Sequence, residues 1–178
     1  NVAGSYRRLE YHGVHNAAFS PDGKFVITAD GDGKARIWNV ANAGKPRTIV
    51  TGQVNSAAFS SDGKLVVTAG DDGTARIWDA GALRLLRILS GHTGRVQSAA
   101  FSPDDKFVVT ASADVTARIW DVASGRTLRV LSGHGGEVRR ATFSPDGTLI
   151  LTTSKDGALR IWPTCDLCTL SYGQLLDR

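Results

Sequence analysis

The chain has 178 residues, 42% of them hydrophobic and 21% charged, which is the composition of a folded globular protein and not of a disordered one. Its 21 Lys and Arg against 17 Asp and Glu leave a formal charge of +4, spread along the chain and not massed, so the charges read as solvated surface and give no expectation of nucleic-acid binding. No apolar run approaches the ~20 residues that a membrane-spanning helix needs, and no membrane partner is expected.

The chain opens on Asn1 without a signal peptide, and the missing Met reads as a fragment or a processed form. The first patterned stretch is "SYRRLEYHG" (Ser5–Gly13), which aligns with "GRTLRVLSGHG" (Gly125–Gly135) further on. Residues 1–13 are therefore expected to be an outermost strand that completes a preceding or clasped unit. Then "FSPDGKFVITADGDGKARIWN" (Phe19–Asn39) returns as "FSSDGKLVVTAGDDGTARIWD", "FSPDDKFVVTASADVTARIWD" and "FSPDGTLILTTSKDGALRIWP". Phe19, Phe59, Phe101 and Phe143 step by 40, 42 and 42 residues, as do Trp38, Trp78, Trp120 and Trp162. A fixed period of this length points to a repeat architecture.

Each copy has strand grammar. In the third, "VQSAAFS", "KFVVTAS", "TARIWDV" and "TLRVLSG" are short, rich in Val, Ile, Thr and aromatics, and separated by turn residues. Nothing sustains an apolar 3.6-residue period. In "ARIW" the Ala and Ile point to one face of a strand and the Arg and Trp to the other, so both faces of the sheet are apolar. Such sheets are stable only when stacked, and radial stacking makes a propeller. The expected fold is all-β, with blades of four antiparallel strands: blade one at 14–52, blade two at 53–94, blade three at 95–136, an incomplete blade four at 137–163, and a tail at 164–178.

The recurring "GH", strand pair, Asp-bearing turn and "RIWD" resemble the WD-repeat family of β-propellers over about Ser5 to Trp162. The resemblance implies structural tetrads in which Trp, Thr, His and Asp hydrogen-bond in sequence. The matching positions are Thr28, Asp32 and Trp38; Thr68, Asp72 and Trp78; His92, Thr110, Asp114 and Trp120; and His134, Thr152, Asp156 and Trp162. His12 stands in for the histidine of the first set, and Gln53 replaces it in the second. Propellers of the family usually have seven or eight blades, so four make a half ring. Two expectations follow: the chain is part of a longer propeller, or two copies close into an eight-bladed ring with each Ser5–Tyr11 strand completing the other's last blade.

The candidate chemistry is sparse. There is no Gly-x-Ser-x-Gly elbow and no unrepeated cluster of acid, base and nucleophile, so a propeller-based hydrolase is the weaker alternative and no catalytic residue is assigned. "DGDGK" (Asp30–Lys34) opens like a calcium loop but has Ala41 where the closing Glu belongs. Cys165 and Cys168, the only cysteines, have the spacing of half a zinc site; no cofactor or metal is assigned, and a reducing cytoplasm is expected. The tail "CDLCTLSYGQLLDR" is similar to the ends of certain bacterial WD-repeat chains, whose propellers often terminate signalling proteins that carry NTPase or kinase modules. Arg36, Arg76, Arg118 and Arg160 recur two residues before each Trp and are expected to pair with neighbouring carboxylates. Where the copies differ, recognition is expected: His15, Asn55, Gln97 and Arg139 form one variable series, and Gly31, Asp71, Ala113 and Lys155 a second, both directed to a partner-binding rim. His15, Asn55, Asp71, Gln97, Arg139 and Lys155 are the candidates for binding a protein or peptide there.

Overall fold

The structure, a computed structural model, describes residues 13–42 and 44–164. The expected strand at Ser5–Tyr11, His12, Cys165 and Cys168 lie outside the described residues. Blade one is β1 (Val14–Phe19), β2 (Phe25–Asp30), β3 (Lys34–Asn39) and β4 (Arg47–Val50). Blade two is β5 (Val54–Phe59), β6 (Leu65–Gly70), β7 (Thr74–Asp79) and β8 (Leu85–Ser90). Blade three is β9 (Val96–Phe101), β10 (Phe107–Ser112), β11 (Ala117–Asp121) and β12 (Thr127–Leu131). Blade four has β13 (Val138–Phe143), β14 (Leu149–Ser154) and β15 (Leu159–Pro163), three strands among the described residues. Every sheet is an antiparallel meander in chain order, and no helix occurs among the described residues. The inner strands β1, β5, β9 and β13 stand side by side in an open arc, and the sheets do not close into a ring.

Each first hairpin turns on the same device. The hydroxyls of Ser20, Ser60, Ser102 and Ser144 donate to the carboxylate two residues on. Each accepts the amide five residues on, at 2.9 Å in all four blades. The hydroxyl thereby satisfies the corner that a tight turn leaves open.

The core lies between blades. Ile27, Ala29, Ala35, Ile37 and Ile49 of blade one pack on Val54, Ala57, Val66 and Trp78 of blade two. Blade two meets blade three through the equivalent residues, and blade three meets blade four likewise. A fully buried Val, Ile or Leu contributes about 1.5–3 kcal/mol, so the blade boundaries hold most of the stabilising burial. The ends of the arc show what a boundary conceals. Val14 is 46% exposed where Val54 is 1% and Val138 0%; Ile161 is 60% exposed where Ile119 is 0%. Blade four also breaks the pattern on its open face, with Thr153 opposite Leu159 where the other blades set Ala opposite Ala.

Two corners depart from the repeat in a correlated way. A Cβ on Gly63 would stand 3.5 Å from the Pro21 ring, and one on Gly147 would stand 3.5 Å from that of Pro103. Between blades two and three the proline is Ser61 and the glycine is Asp105. The Ser61 amide, which a proline would lack, donates to Asp105 Oδ1 at 2.6 Å, and the Asp62 amide donates to Oδ2 at 2.9 Å. Asp105 holds the left-handed φ of 58° that glycines hold elsewhere. Its two charge-assisted bonds offset that conformational cost. Val115 has no such offset: it sits at φ 64° where Gly33, Gly73 and Gly157 sit at 82°, 77° and 78°.

Two outcomes are expected in urea denaturation. Asp105→Gly and Ser61→Pro each destabilise by about 1 kcal/mol, whereas the double variant, which restores the proline–glycine contact, returns close to the parent and gives a coupling above about 0.5 kcal/mol. Val115→Gly stabilises by about 1 kcal/mol, because relief of a β-branched residue in the left-handed region exceeds the added chain entropy of glycine.

Candidate functional site

The Trp indoles are tied inward in all four blades. Trp38, Trp78, Trp120 and Trp162 Nε1 donate to the hydroxyls of Thr28, Thr68, Thr110 and Thr152 at 3.1, 3.0, 2.8 and 2.9 Å. In blade three the relay continues, with His92 Nε2 2.8 Å from Thr110 Oγ1 and Nδ1 2.7 Å from Asp114 Oδ2. Asp114 also accepts the Thr93 amide and the Thr116 hydroxyl. A neutral imidazole between these groups donates from Nδ1 to the carboxylate and accepts the threonine hydroxyl at Nε2, which orders the whole chain of protons. Blade four repeats it through His134, 2.8 Å from Thr152 and 3.1 Å from Asp156, with Arg160 Nη1 2.6 Å from Nδ1. Burial lowers the His92 pKa below the ordinary 6.5, against the pull of Asp114, and Arg118 adds to the lowering. Burial works to raise the Asp114 carboxyl, but hydrogen bonds from Thr116 and His92 outweigh it and hold it at about 2.

In the first two blades the relay among the described residues stops at threonine. Gln53 is exposed and its carbonyl merely accepts the Asp71 amide. Asp72 takes Thr74 and Arg76 as partners, and Asp32 takes Arg36 and Lys34. Blade one adds a buried pair, Asp30 with Arg36, where the other blades have Gly70, Ser112 and Ser154. Of the recurring arginines, Arg36, Arg76 and Arg160 thus sit on the aspartate four residues earlier. For Arg118 that aspartate is Asp114, which His92, Thr93 and Thr116 already occupy.

The variable residues gather elsewhere. Each inner strand carries a bulge at its start: the register slips between Val14 and Asn16, Val54 and Ser56, and Val138 and Arg140, and Ser112 pairs with Val96 while Ala111 pairs with Ser98. The skipped residues are His15, Asn55, Gln97 and Arg139. A bulge frees a residue from the ladder and re-aims its side chain. All four line one groove of about 320 Å³ that runs along the inner strands. The second series lies beside them. The amides of Gly31, Asp71, Ala113 and Lys155 bond the carbonyls of Gly13, Gln53, Arg95 and Glu137 at the foot of each inner strand. Asn55 Nδ2 joins Asp71 at 2.7 Å and reaches the Val96 carbonyl of the next blade at 2.9 Å. His15 Nδ1 is 3.4 Å from the Val54 carbonyl, the same reach one blade earlier. Lys155 pairs with Glu137 at 2.6 Å.

Sequence reading passed over Arg140, the residue beside the bulge, which also lines the groove. The signal was present: its counterparts are Asn16, Ser56 and Ser98, and a second arginine breaks the repeat. It also missed that Asn16 Oδ1 accepts the Ala57 amide at 3.2 Å and Ser98 Oγ the Ala141 amide at 3.2 Å, so these small polar side chains join neighbouring inner strands. Among the described residues no group of three or more His, Cys, Asp or Glu is gathered as a metal site.

A family model described as WD domain, G-beta repeat, matches the chain over residues 4–39, 44–79, 83–121 and 125–163. The chain belongs to the WD-repeat family, whose domains generally mediate protein–protein interaction and are generally non-catalytic. No curated protein matches it. Three of the matched units straddle the sheets: residues 44–79 hold the last strand of blade one and the first three of blade two, and 83–121 and 125–163 do the same one blade further on, so these units lace two blades together.

The relay makes stability depend on pH. His92 is held neutral, so the unfolded chain binds more protons just below 6.5 and stability falls as pH drops through that value. A second loss begins below 3.8, where the unfolded Asp114 protonates before the folded one. Urea midpoints measured against pH should show both limbs. His92→Gln, which installs the residue that blade two carries, should flatten the first limb and cost about 1–3 kcal/mol at neutral pH.

Proposed function

We propose that the chain is a rigid, non-catalytic interaction platform that takes a protein or peptide segment at the groove bounded by His15, Asn55, Gln97 and Arg139 and the adjoining Asp71 and Lys155. The single observation behind this reading is the division of labour among the repeats. The buried Thr, Trp, Ile and Val positions are nearly constant, while the four bulge residues all differ and converge on one concave surface. Recognition residues on a fixed frame have this distribution. Pre-organised backbone also limits the ordering cost of binding.

The exposed faces at Val14 and Ile161 favour a companion reading about assembly: further blades, from the same longer chain or from a second copy, cover them. A second copy would complete eight blades. Light scattering on the purified chain separates the two, since a dimer supports the second copy and a monomer the longer chain. The tail's likeness to bacterial WD-repeat chains supports, more distantly, a cytoplasmic sensing or scaffolding role for an NTPase- or kinase-bearing signalling protein.

The platform reading is tested by selecting peptides from a random display library on the immobilised protein. Selected peptides should bind at least about tenfold more weakly, a loss of about 1.4 kcal/mol, when His15, Gln97 and Arg139 are changed to Ala, and should be indifferent to Leu85→Ala on the outer strand of blade two. Peptides that ignore the groove substitutions would refute it.

A further inference from the structure

We propose that the occupant of the groove is an acidic peptide segment, bound through Arg139 and Arg140; this deepens the platform reading and rests on it.

The groove is lined by residues of all four inner strands, and no Asp or Glu is among them. None occurs in β1, β5, β9 or β13 at all. In a chain with 17 acidic residues against 21 Lys and Arg, a concave surface without a carboxylate is a charge asymmetry with a direction. The carboxylates nearest its mouth are engaged. Glu137 is held by Lys155 at 2.6 Å with Arg95 at 3.7 Å, and Asp71 is held by Asn55.

The cations that recur between repeats are mostly accounted for within the repeats. Lys24, Lys64 and Lys106 each sit on the aspartate two residues earlier, and Arg36, Arg76 and Arg160 on the one four residues earlier. Arg139 and Arg140 are different in kind. They occur once, where the other blades have His15 and Asn16, Asn55 and Ser56, Gln97 and Ser98. Both are exposed and neither makes an ion pair or side-chain hydrogen bond among the described residues. The chemistry of the position differs too: Asn16 and Ser98 accept an amide from the next blade, whereas a guanidinium has no acceptor atom and only donates. Two adjacent guanidinium forks therefore stand at one end of the groove, each suited to a carboxylate held at two points. Facing them along the strands are amide and imidazole side chains, which accept or donate without adding negative charge. The concave surface of the inner strands focuses the field of the two charges.

Fluorescence anisotropy with a labelled hexaglutamate peptide tests this, with a Gly-Ser peptide of equal length and a labelled oligo-dT as the comparison probes. The expected result is saturable binding of hexaglutamate that weakens with added salt and exceeds binding of the Gly-Ser probe by at least about tenfold. The double variant Arg139→Gln/Arg140→Gln should lose at least about tenfold, while Arg84→Gln/Arg126→Gln, which removes two exposed arginines away from the groove, should change it less than about twofold. Matching thermal unfolding curves for both variants show that the loss is not unfolding. Three results would overturn the proposal: hexaglutamate no tighter than the Gly-Ser probe, equal losses in the two double variants, or oligo-dT bound as tightly as hexaglutamate, which would make the groove a general polyanion site. If hexaglutamate fails while library peptides still depend on the groove, the acidic class is wrong and the platform stands; if both fail, the platform falls with it.

Discussion

A sheet with two apolar faces has no tolerable life alone in water, and everything else in this molecule follows from that constraint. Ile37, Ile77 and Ile119 disappear because the next blade covers them; the chemically identical Ile161 stays in solvent because none does. Burial at each boundary is non-directional, so it holds blades together without fixing how they meet. The directional part comes from hydrogen bonds: Trp to Thr within each blade, the His and Asp extension in two of them, and Asn16 or Ser98 reaching across to a neighbour's backbone. Leaving any of these buried groups unpaired costs about 1–3 kcal/mol, enough to select one packing among many of similar area.

That split between area and direction explains what the sequence made legible. The period, the alternating faces and the Ser-x-Asp corners are local or repeated, so they could be read four times over, and the fold is the all-β set of antiparallel sheets that they imply. The Trp and Thr positions were legible for the same reason. Asp32 and Asp72 were less so. The spacings from Thr to Asp and from Asp to Trp are the same in their blades as at Asp114, yet among the described residues these carboxylates pair with Arg36 and Arg76, and spacing carries no record of that choice. The bulges were invisible as bulges. A residue skipped by the ladder looks like any other in one dimension, although its variability from copy to copy hinted that it was unconstrained by pairing. Arg140 escaped because its constraint is negative: it is what the position lacks, an acceptor for the next strand, that sets it apart.

The architecture separates what must stay from what is free to change. A substitution at Ile77 or Trp120 is felt across a boundary, whereas one at a bulge residue meets mostly groove. Because the bulge is held by Val on one side and the inner ladder on the other, a new side chain there inherits a fixed aim. Function on such a frame is altered by changing a few side chains, with no need to rebuild loops. The strain at Val115 and the half-buried Thr153 paired with exposed Leu159 show the complementary case, places where the repeat has drifted from its own consensus.

The pairing of Ser61 with Asp105 has a consequence for how such a chain changes over generations. Tandem copies this similar invite unequal crossing-over in the gene, which deletes or duplicates whole units. Most boundaries here are interchangeable, since proline meets glycine on either side of them. The boundary between blades two and three is not: an exchange that set Ser61 against glycine would lose both bonds to Asp105, and one that set Asp105 against proline would lose the bond that the Ser61 amide donates. The pair therefore acts as a key and its lock, giving two nearly identical modules an order that neither could carry alone.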